Sequence, residues 1–160
     1  MKNNKQVLKQ ERSLPEARDI LLLNTLLQNS RLSAREIAKK MGISVVTVIH
    51  RMKLWEKEGV IKRYTAELDY EKLGYDVQAI ISLRISRGKL FEVEKKISVS
   101  PGVFAVYDTT GDFDCVVIAK FKSRKALDVF LKRIQGYDFV ERTDTKLILN
   151  VMKEEPVRVE

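Results

Sequence analysis

Few side chains in this sequence have the types and spacing that catalysis or metal binding requires. Cys115 is the only cysteine and His50 the only histidine, so a multi-cysteine metal site is excluded and a zinc site is not expected. Cys115 is followed by Val116, Val117 and Ile118, which favours a buried strand thiol, and no nearby histidine could activate it. We also find no glycine-rich phosphate loop. The sequence therefore predicts neither an enzyme nor a bound metal or cofactor.

Side chains that could bind a partner are concentrated between residues 44 and 53. Val48, Met52 and Trp55 recur at helical spacing and should pack inward, which leaves aliphatic and basic side chains on the opposite face. Aliphatic side chains are unexpected on a solvated helix face, but they suit thymine methyl groups, while basic ones suit guanine edges or phosphates. With one residue of the preceding helix, the predicted DNA-binding residues are Arg35, Ser44, Val45, Val46, Thr47, Ile49, His50, Arg51 and Lys53.

The distribution of charge supports a polyanionic partner for the first part of the chain. The formal net charge is +8. Residues 1–64 contain 14 Lys/Arg and 6 Asp/Glu, whereas residues 65–160 contain 16 of each, so the whole excess lies at the N-terminal end. This asymmetry is expected when only one domain meets phosphates. A solvated basic face without a partner is the alternative, and charge alone does not decide between them.

The N-terminal elements that would position these side chains follow a helix-turn-helix pattern. Apolar residues recur at spacings of three and four after Pro15, which is placed as the first residue of a helix. Ser33 with Glu36 forms a capping-box pattern at the start of a second helix. Gly42 then suits a positive φ, and Ser44 offers the N-cap of a third helix that closes at Gly59. Two helices joined by such a short turn place the second one in the major groove of DNA.

The C-terminal elements alternate in the order βαββαβ of a ferredoxin-like domain, so the predicted fold class is α+β. We expect strands over residues 77–86, 103–110, 115–121 and 140–153, and helices over residues 90–98 and 124–135. Such a sheet has one open face with apolar residues, which usually pairs with another copy, so we expect at least a homodimer. The predicted organisation is a flexible basic tail (1–13), a helix-turn-helix domain (14–60), a hinge strand and linker (61–76), and a ferredoxin-like domain (77–160).

No membrane or secretory segment is expected. No run of about 18 apolar residues is present to span a bilayer, and the N-terminus is polar and basic without an apolar stretch behind it. The sequence therefore predicts a soluble, cytoplasmic protein.

An ordered set of residues extends across both predicted domains. It consists of Asp19, Leu22, Leu23, Asn29 to Ser33, Glu36 to Ala38, Gly42 to Ser44, Val48, Arg51, Gly59 to Lys62, Tyr64 to Ala66, Leu68, Asp69, Leu73 to Tyr75, Pro101 to Val103, Val106, Tyr107, Thr109 to Asp114, and Thr143 to Thr145. This set resembles the Lrp/AsnC (leucine-responsive and asparagine regulator, or feast/famine) family of transcription factors. The resemblance covers about residues 15 to 155. Each matching segment alone is a weak indication of the family, but the ordered set of segments is specific for it. Trp55 stands where the family generally has leucine, which indicates a locally repacked core. Val45 and Val46 replace polar residues at the start of the third helix, so the operator sequence cannot be taken from relatives.

The resemblance implies a winged helix-turn-helix domain, a hinge strand, and a C-terminal domain of the type named for the regulation of amino acid metabolism (RAM). It also implies dimers that assemble into tetramers or octamers, and an amino-acid effector. By the match, the effector site would be lined by Gly111, Asp112, Asp114, Thr143, Asp144 and Thr145. Carboxylates, backbone N–H groups and threonine hydroxyls can supply the acceptors and donors that an amino acid needs. A Gly-Asp pair is equally ordinary in a turn between strands, so both interpretations stay open.

Together these patterns predict a sequence-specific regulator that binds double-stranded DNA at a pseudo-palindromic operator as a dimer or larger oligomer. An architectural protein that binds DNA without sequence preference or effector is the alternative, because the same basic domain would serve it. Competition with random DNA separates the two.

Overall fold

The computed structural model describes residues 14–86 and 88–160, so the expected flexible tail over residues 1–13 lies outside the described residues. The chain divides into two compact units, one containing the chain through Ala66 together with Glu155–Glu160, and the other Glu67–Glu154. The division falls within the predicted linker. The return of the last six residues to the first unit differs from the predicted organisation, which placed them in the ferredoxin-like domain.

The first unit contains three helices, α1 (Ala17–Gln28), α2 (Ala34–Met41) and α3 (Val45–Lys57). They pack around a small core because each helix has an apolar stripe at spacings of three and four residues. Its fully or nearly buried members are Leu22 and Leu26 of α1, Ile37 and Ala38 of α2, and Val48 of α3. Each buried Leu, Ile or Val side chain contributes about 2 kcal/mol relative to exposure.

The helix boundaries of this unit follow from capping residues. Ser33 accepts a hydrogen bond from the Glu36 backbone N–H, and the Glu36 carboxylate accepts one from the Ser33 N–H, which confirms the predicted capping box. Gly42 has the predicted positive φ, 66°. α1 differs from the prediction, because Glu16 is its N-cap and Ala17 its first residue. Pro15 therefore precedes the helix.

The predicted hinge strand does not form within the described residues. The segment from Lys62 to Asp69 pairs with no other strand, and residues 70–74 form a turn. A β-strand requires a partner for its backbone groups, and no strand lies in the first unit as described. The alternation of apolar and polar residues over 60–68 predicted a strand, and a single chain does not form one there.

The second unit has the βαββαβ order that the sequence predicts. The elements are β1 (Val77–Ile85), α4 (Leu90–Ser98), β2 (Val103–Asp108), β3 (Cys115–Phe121), α5 (Arg124–Gln135) and β4 (Val140–Ile148). The sheet order is β2-β3-β1-β4 and every pairing is antiparallel. This is the ferredoxin-like fold, and it confirms the predicted α+β class.

One face of the sheet carries the core of this unit. Alternate residues of β1 and β3 point to the helices, because successive side chains of a strand lie on opposite faces. They pack with side chains of α4 and α5, the buried set being Ala79, Ile81, Leu83, Ile85, Val93, Ile97, Cys115, Val117, Ala119, Phe121, Leu127, Phe130 and Ile134. On the other face, Ile80 and Ile118 lie opposite one another and are only half-buried in a single chain.

Three strands end earlier than predicted, and Phe91 lies outside the core. β1 stops at Ile85, one residue early. β4 stops at Ile148, which pairs with Gln78 near the start of β1, so the residues beyond it have no strand to pair with. β2 stops at Asp108, because the Thr109 N–H bonds to the Asp114 carbonyl at 2.9 Å and closes the turn. Phe91, the second residue of α4, has a side chain that is 77% exposed.

Candidate nucleic-acid interface and effector site

The second helix of the helix-turn-helix, α3, begins at a well-defined cap. The Ser44 hydroxyl accepts a hydrogen bond from the Thr47 N–H at 3.0 Å and lies 2.8 Å from the Thr47 hydroxyl. This cap satisfies one of the backbone donors at the helix N-terminus. Ser44 and Thr47, both predicted as DNA-binding residues, are therefore also the pair that fixes where α3 starts.

The two faces of α3 differ as the sequence predicts, except at Val45 and Arg51. Val48 and Trp55 are buried, whereas Val46 is 77% and Ile49 40% exposed. His50 and Lys53 are also exposed, as is Arg35 on α2. The first exception is Val45, which is half-buried against the core of the first unit. The reason is helix geometry, because Val45 stands three residues before Val48 and shares its inward stripe.

Arg51 does not lie on the exposed face of α3. Its guanidinium forms an ion pair with Asp19 of α1 and lies 3.6 Å from the Glu16 carboxylate. The Arg51 side chain is 21% and the Asp19 side chain 5% exposed. The sequence placed Arg51 at the edge of the DNA-binding face, and the structure corrects this placement, because a buried carboxylate requires a positively charged partner.

The environment of Asp19 keeps this carboxylate ionised. Burial raises the pKa of Asp19, but the hydrogen bonds from Arg51 and the Glu16 backbone, the nearby Trp55 indole and the Arg51 charge together outweigh burial and lower it. The Trp55 indole N–H is buried without an acceptor in strict hydrogen-bond geometry, yet it contributes to lowering that pKa. Asp19 thus ties α1 to α3 at the base of the helix-turn-helix.

Sequence reasoning also overlooked basic residues of the first unit. Lys39 and Lys40 lie in the last turn of α2, and Lys62 and Arg63 follow α3. All four are exposed. The local excess of positive charge could have indicated them as DNA-binding candidates. They lie outside the predicted third helix, however, and were not among the predicted DNA-binding residues.

Asp114, in the predicted effector loop, has a structural role. Its carboxylate accepts a hydrogen bond from the Ile85 N–H at 2.8 Å, where the register of β1 and β4 shifts between Arg84 and Ile85. Arg84 also donates to the Asp112 carbonyl at 3.2 Å, and the Asp112 side chain is exposed. Gly111 has a φ of 110°, which shapes the turn. Of the two acidic residues, Asp112 is the one left available to a ligand.

The predicted residues of β4 do not share one face of the sheet. Thr143 and Thr145 lie opposite Leu83 and Ile81, whose side chains are buried under the helices. Asp144 lies opposite Ser82 on the other face, where it pairs with Lys146. The Thr143 hydroxyl accepts a hydrogen bond from Gln135 at 2.9 Å. One chain therefore does not bring all six predicted effector residues together, because a strand alternates its side chains.

Cys115 is fully buried, as predicted for a strand thiol. Burial, and then the neighbouring Glu94 carboxylate, raise the pKa of this thiol to about 12. The pKa of Glu94 is itself raised by burial and by the nearby Asp108. Because a thiol must ionise to act as a nucleophile, Cys115 is unsuited to covalent catalysis.

Beside Glu94, a shallow cavity of about 300 Å³ opens between α4 and β2, lined by Phe91, Glu94, Lys95, Ser98, Val106 and Asp108.

Within the part of the chain that the structure describes, no group of three His, Cys, Asp or Glu side chains could hold a metal ion. No helix within residues 14–86 and 88–160 is long and apolar enough to cross a membrane.

Comparison with known proteins agrees with both units. A winged helix-turn-helix DNA-binding family model matches residues 16–62, and an Lrp/AsnC ligand-binding domain model matches residues 78–158. An uncharacterized HTH-type transcriptional regulator of Pyrococcus furiosus is 44% identical over 86% of this chain and 93% of its own length.

Solved structures show the same fold. AsnC of E. coli superimposes with a TM-score of 0.85 at 26% identity, covering 92% of this chain and 100% of that one. A transcriptional regulator from Neisseria meningitidis, solved as a complex with L-Met, shares the fold with a TM-score of 0.83 at 23% identity, covering 92% of this chain and 97% of that one. This chain therefore belongs to the Lrp/AsnC family of DNA-binding transcriptional regulators, with a winged helix-turn-helix domain followed by an Lrp/AsnC ligand-binding domain.

Proposed function

We propose that this protein is a sequence-specific regulator that binds its operator through the outer face of α3 and responds to an amino acid bound by its second unit. The observation that carries the DNA part is the composition of that face. It presents Val46, Ile49, His50 and Lys53 to solvent on a helix whose opposite side is held in the core. A face that mixes aliphatic and basic side chains suits base edges together with the phosphates beside them.

The aliphatic pair gives the proposal its specificity. Val46 and Ile49 are three residues apart, so they lie side by side along the helix. Exposed side chains of this kind gain nothing in water, but they can bury the 5-methyl groups of thymines in the major groove. We assign Val46 and Ile49 to thymine methyl contacts, and Arg35, His50 and Lys53 to phosphates or guanine edges.

Uracil substitution tests this assignment, because uracil differs from thymine only by the missing methyl group. The probe is a duplex selected from a random library by the wild-type protein, with each thymine replaced in turn. We expect one or two replacements to weaken wild-type binding about fivefold or more, and the same replacements to have little effect on Val46→Ala or Ile49→Ala. Val129→Ala, which removes an exposed valine of α5, is the matched control and should behave as wild type.

The outcomes also separate the proposal from an architectural role. A sequence-specific regulator keeps its probe when random duplex is added in excess, whereas an architectural protein loses it. Failure to select any preferred sequence would count against the whole proposal. A preferred sequence that is indifferent to uracil would remove only the thymine assignment.

We also assign the open face of the sheet to pairing with a second copy. Ile80, Tyr107 and Ile118 leave apolar surface there, and a two-fold pair of chains would present two copies of α3 to DNA. The operator should then be pseudo-palindromic, with half-sites about one helical turn apart. Ile118→Lys should convert the dimer to a monomer in sedimentation measurements, and unchanged sedimentation would contradict this assignment.

The effector part rests on the match of residues 78–158 to a ligand-binding domain and on the exposed Asp112 carboxylate in the turn after Gly111. We propose that Asp112 accepts the ammonium group of an amino acid, and that further groups come from a neighbouring copy, because Asp144 faces away from Thr143 and Thr145. A thermal-shift screen of the twenty amino acids tests this. A ligand that binds the native state raises the unfolding midpoint, and methionine is an early candidate because a protein of the same fold was solved with it.

A further inference from the structure

The last residues of the chain contact the DNA-binding unit through a paired set of hydrogen bonds. The Asn24 side-chain amide on α1 donates to the Val159 carbonyl at 2.9 Å, and its carbonyl oxygen accepts from the Val159 N–H at 3.0 Å. A primary amide offers one donor and one acceptor side by side. It therefore satisfies both backbone groups of a single residue, as a neighbouring strand would do.

The contact depends on the backbone of one residue rather than on a buried apolar segment. Val159 is half-buried, whereas Val157 is 88% exposed. Asn24 is itself half-buried, so water competes less well for its amide than at a fully exposed position. Removal of the Asn24 amide should accordingly release the segment.

The chain topology gives this contact a consequence for the molecule. The chain leaves the DNA-binding unit at Ala66, forms the second unit over Glu67–Glu154, and returns at Glu155. The two units are thus joined by two stretches of chain instead of one, provided that the terminal segment stays docked. A second connection reduces the number of arrangements that two linked bodies can sample.

We propose that residues 155–160 are a tether that docks on α1 through Asn24 and restricts the freedom of the DNA-binding unit. A DNA-binding unit whose motion is already restricted loses less conformational entropy when two such units must bind one operator at a fixed spacing. The tether therefore raises the affinity for a paired site without touching DNA. The effect on affinity for a paired site rests on the proposed operator binding. The docking of residues 155–160 on α1 does not, because it is independent of DNA.

Trypsin tests the docking step, since it cleaves after Arg158, next to the docked residue. Cleavage requires the segment to leave its site, and its rate is read as loss of the terminal dipeptide by mass spectrometry. We expect Asn24→Ala to be cut about tenfold faster than wild type, because two hydrogen bonds are removed. Gln28→Ala, which removes another amide of α1, should be cut at the wild-type rate. Equal rates in all three proteins would overturn the docking.

Hydrogen exchange gives a second measurement that needs no variant. The Val159 N–H should exchange more slowly than that of Val157 in the wild-type protein, because only the first is hydrogen-bonded by Asn24. Equal exchange at the two positions would overturn the docking even if Asn24→Ala failed to fold.

A chain that ends at Glu154 tests the tethering step. Two duplexes are compared, one with both half-sites of the selected operator and one with a single half-site. We expect the shortened chain to lose about tenfold in affinity for the paired site and less than twofold for the single one. Equal losses, or no loss on either duplex, would overturn the tethering. Failure of the wild type to select any operator would instead count against the proposed function, and would leave the trypsin and exchange results standing.

Discussion

Asp19 and Arg51 show how one buried charge fixes the role of another residue. Asp19 is nearly inaccessible on α1, so its negative charge must be compensated within the unit, and Arg51 is the cation that reaches it. A guanidinium paired in this way has less freedom to extend toward DNA than the exposed Lys53 on the same helix. We therefore interpret Arg51 as a residue that holds α1 and α3 together.

Arg51→Ala should destabilise the first unit by about 3 kcal/mol, because it leaves a buried carboxylate without its partner. Lys53→Ala, an exposed change on the same helix, should alter stability by less than about 0.5 kcal/mol. Chemical denaturation checks both values. Affinity for the selected operator, measured where Arg51→Ala is still folded, should fall for Lys53→Ala and stay within about twofold for Arg51→Ala. The reverse order would restore Arg51 to the DNA-binding face.

The pKa of Asp19 also predicts a pH dependence. Because folding lowers the pKa of Asp19 from its ordinary value of 3.8, the ion pair stabilises the fold above that value, and its contribution is lost as the pH falls through the lower folded pKa. Wild type should lose stability below about pH 4 more steeply than Asp19→Asn. Unfolding midpoints of the first unit between pH 7 and pH 2.5 measure this difference. Parallel curves for the two proteins would contradict it.

Asp112 and Asp114 are close in sequence, but their substitution should affect different properties: the stability of the free protein for Asp114, and ligand binding for Asp112. Asp114→Ala removes the acceptor of the Ile85 N–H and should cost about 1 to 3 kcal/mol without any ligand present. Asp112→Ala should leave the stability of the free protein nearly unchanged and abolish the stabilisation by whichever amino acid binds. Thermal unfolding with and without that amino acid checks both. Ligand stabilisation that survives in Asp112→Ala would remove Asp112 from the effector site.

At the scale of elements, Gly102 controls the approach of β2 to β3. Its φ is 85°, and a Cβ at this position would lie 2.5 Å from the Lys120 backbone carbonyl oxygen. Gly102→Ala thus combines a disfavoured backbone conformation with a clash against backbone that cannot move aside. We expect a loss of about 3 kcal/mol or more in the free energy of unfolding.

Gly74→Ala is the matched control for this prediction. Gly74 also has a positive φ, 80°, but nothing lies within 4 Å of the added Cβ, so it reports the cost of conformation alone, about 1 kcal/mol. Denaturant unfolding of the two variants separates the clash from the strain. Equal losses would mean that β2 shifts without cost.

Sequence periodicity predicted the elements that are stabilised within their own unit. The bounds of α4, α5 and β3 were predicted correctly, because in each case a clear apolar period is bounded by a cap or a turn residue. Prediction failed where the outcome depends on a distant part of the chain. The end of β4 is set by the length of β1, and residues 60–68 alternate but find no strand to pair with in the described chain.

The candidate sites divide in the same way. The outward face of α3 was largely predictable, because it is the complement of a buried stripe. The pairing of Arg51 with Asp19 and of Asn24 with Val159 joins residues 32 and 135 positions apart, and no local pattern marks such partners. Asp114 matched a family motif, but the motif does not show that its carboxylate accepts from the Ile85 backbone.

At the scale of the whole molecule, the net positive charge is concentrated in the unit that contains the helix-turn-helix, which favours DNA binding by that unit. The unit that contains the helix-turn-helix has 15 Lys/Arg and 8 Asp/Glu, a formal net charge of +7, whereas Glu67–Glu154 has 15 and 14, a formal net charge of +1. Each phosphate that a basic side chain neutralises releases a bound cation, so the slope of log affinity against log salt changes by about 0.9 for each such contact. The slope therefore identifies which lysines meet the DNA backbone.

We expect Lys40→Gln to make that slope less steep by about 1 for each half-site, and to weaken binding equally on preferred and random sequences. Lys40 is exposed in the last turn of α2, the helix that precedes α3. Lys125→Gln removes an equally exposed lysine from α5 of the second unit and should leave the slope at its wild-type value. Titrations of the selected duplex between about 50 and 300 mM salt measure both. A slope that changes with Lys125 rather than with Lys40 would place the DNA on the second unit, whose net charge of +1 offers it little attraction.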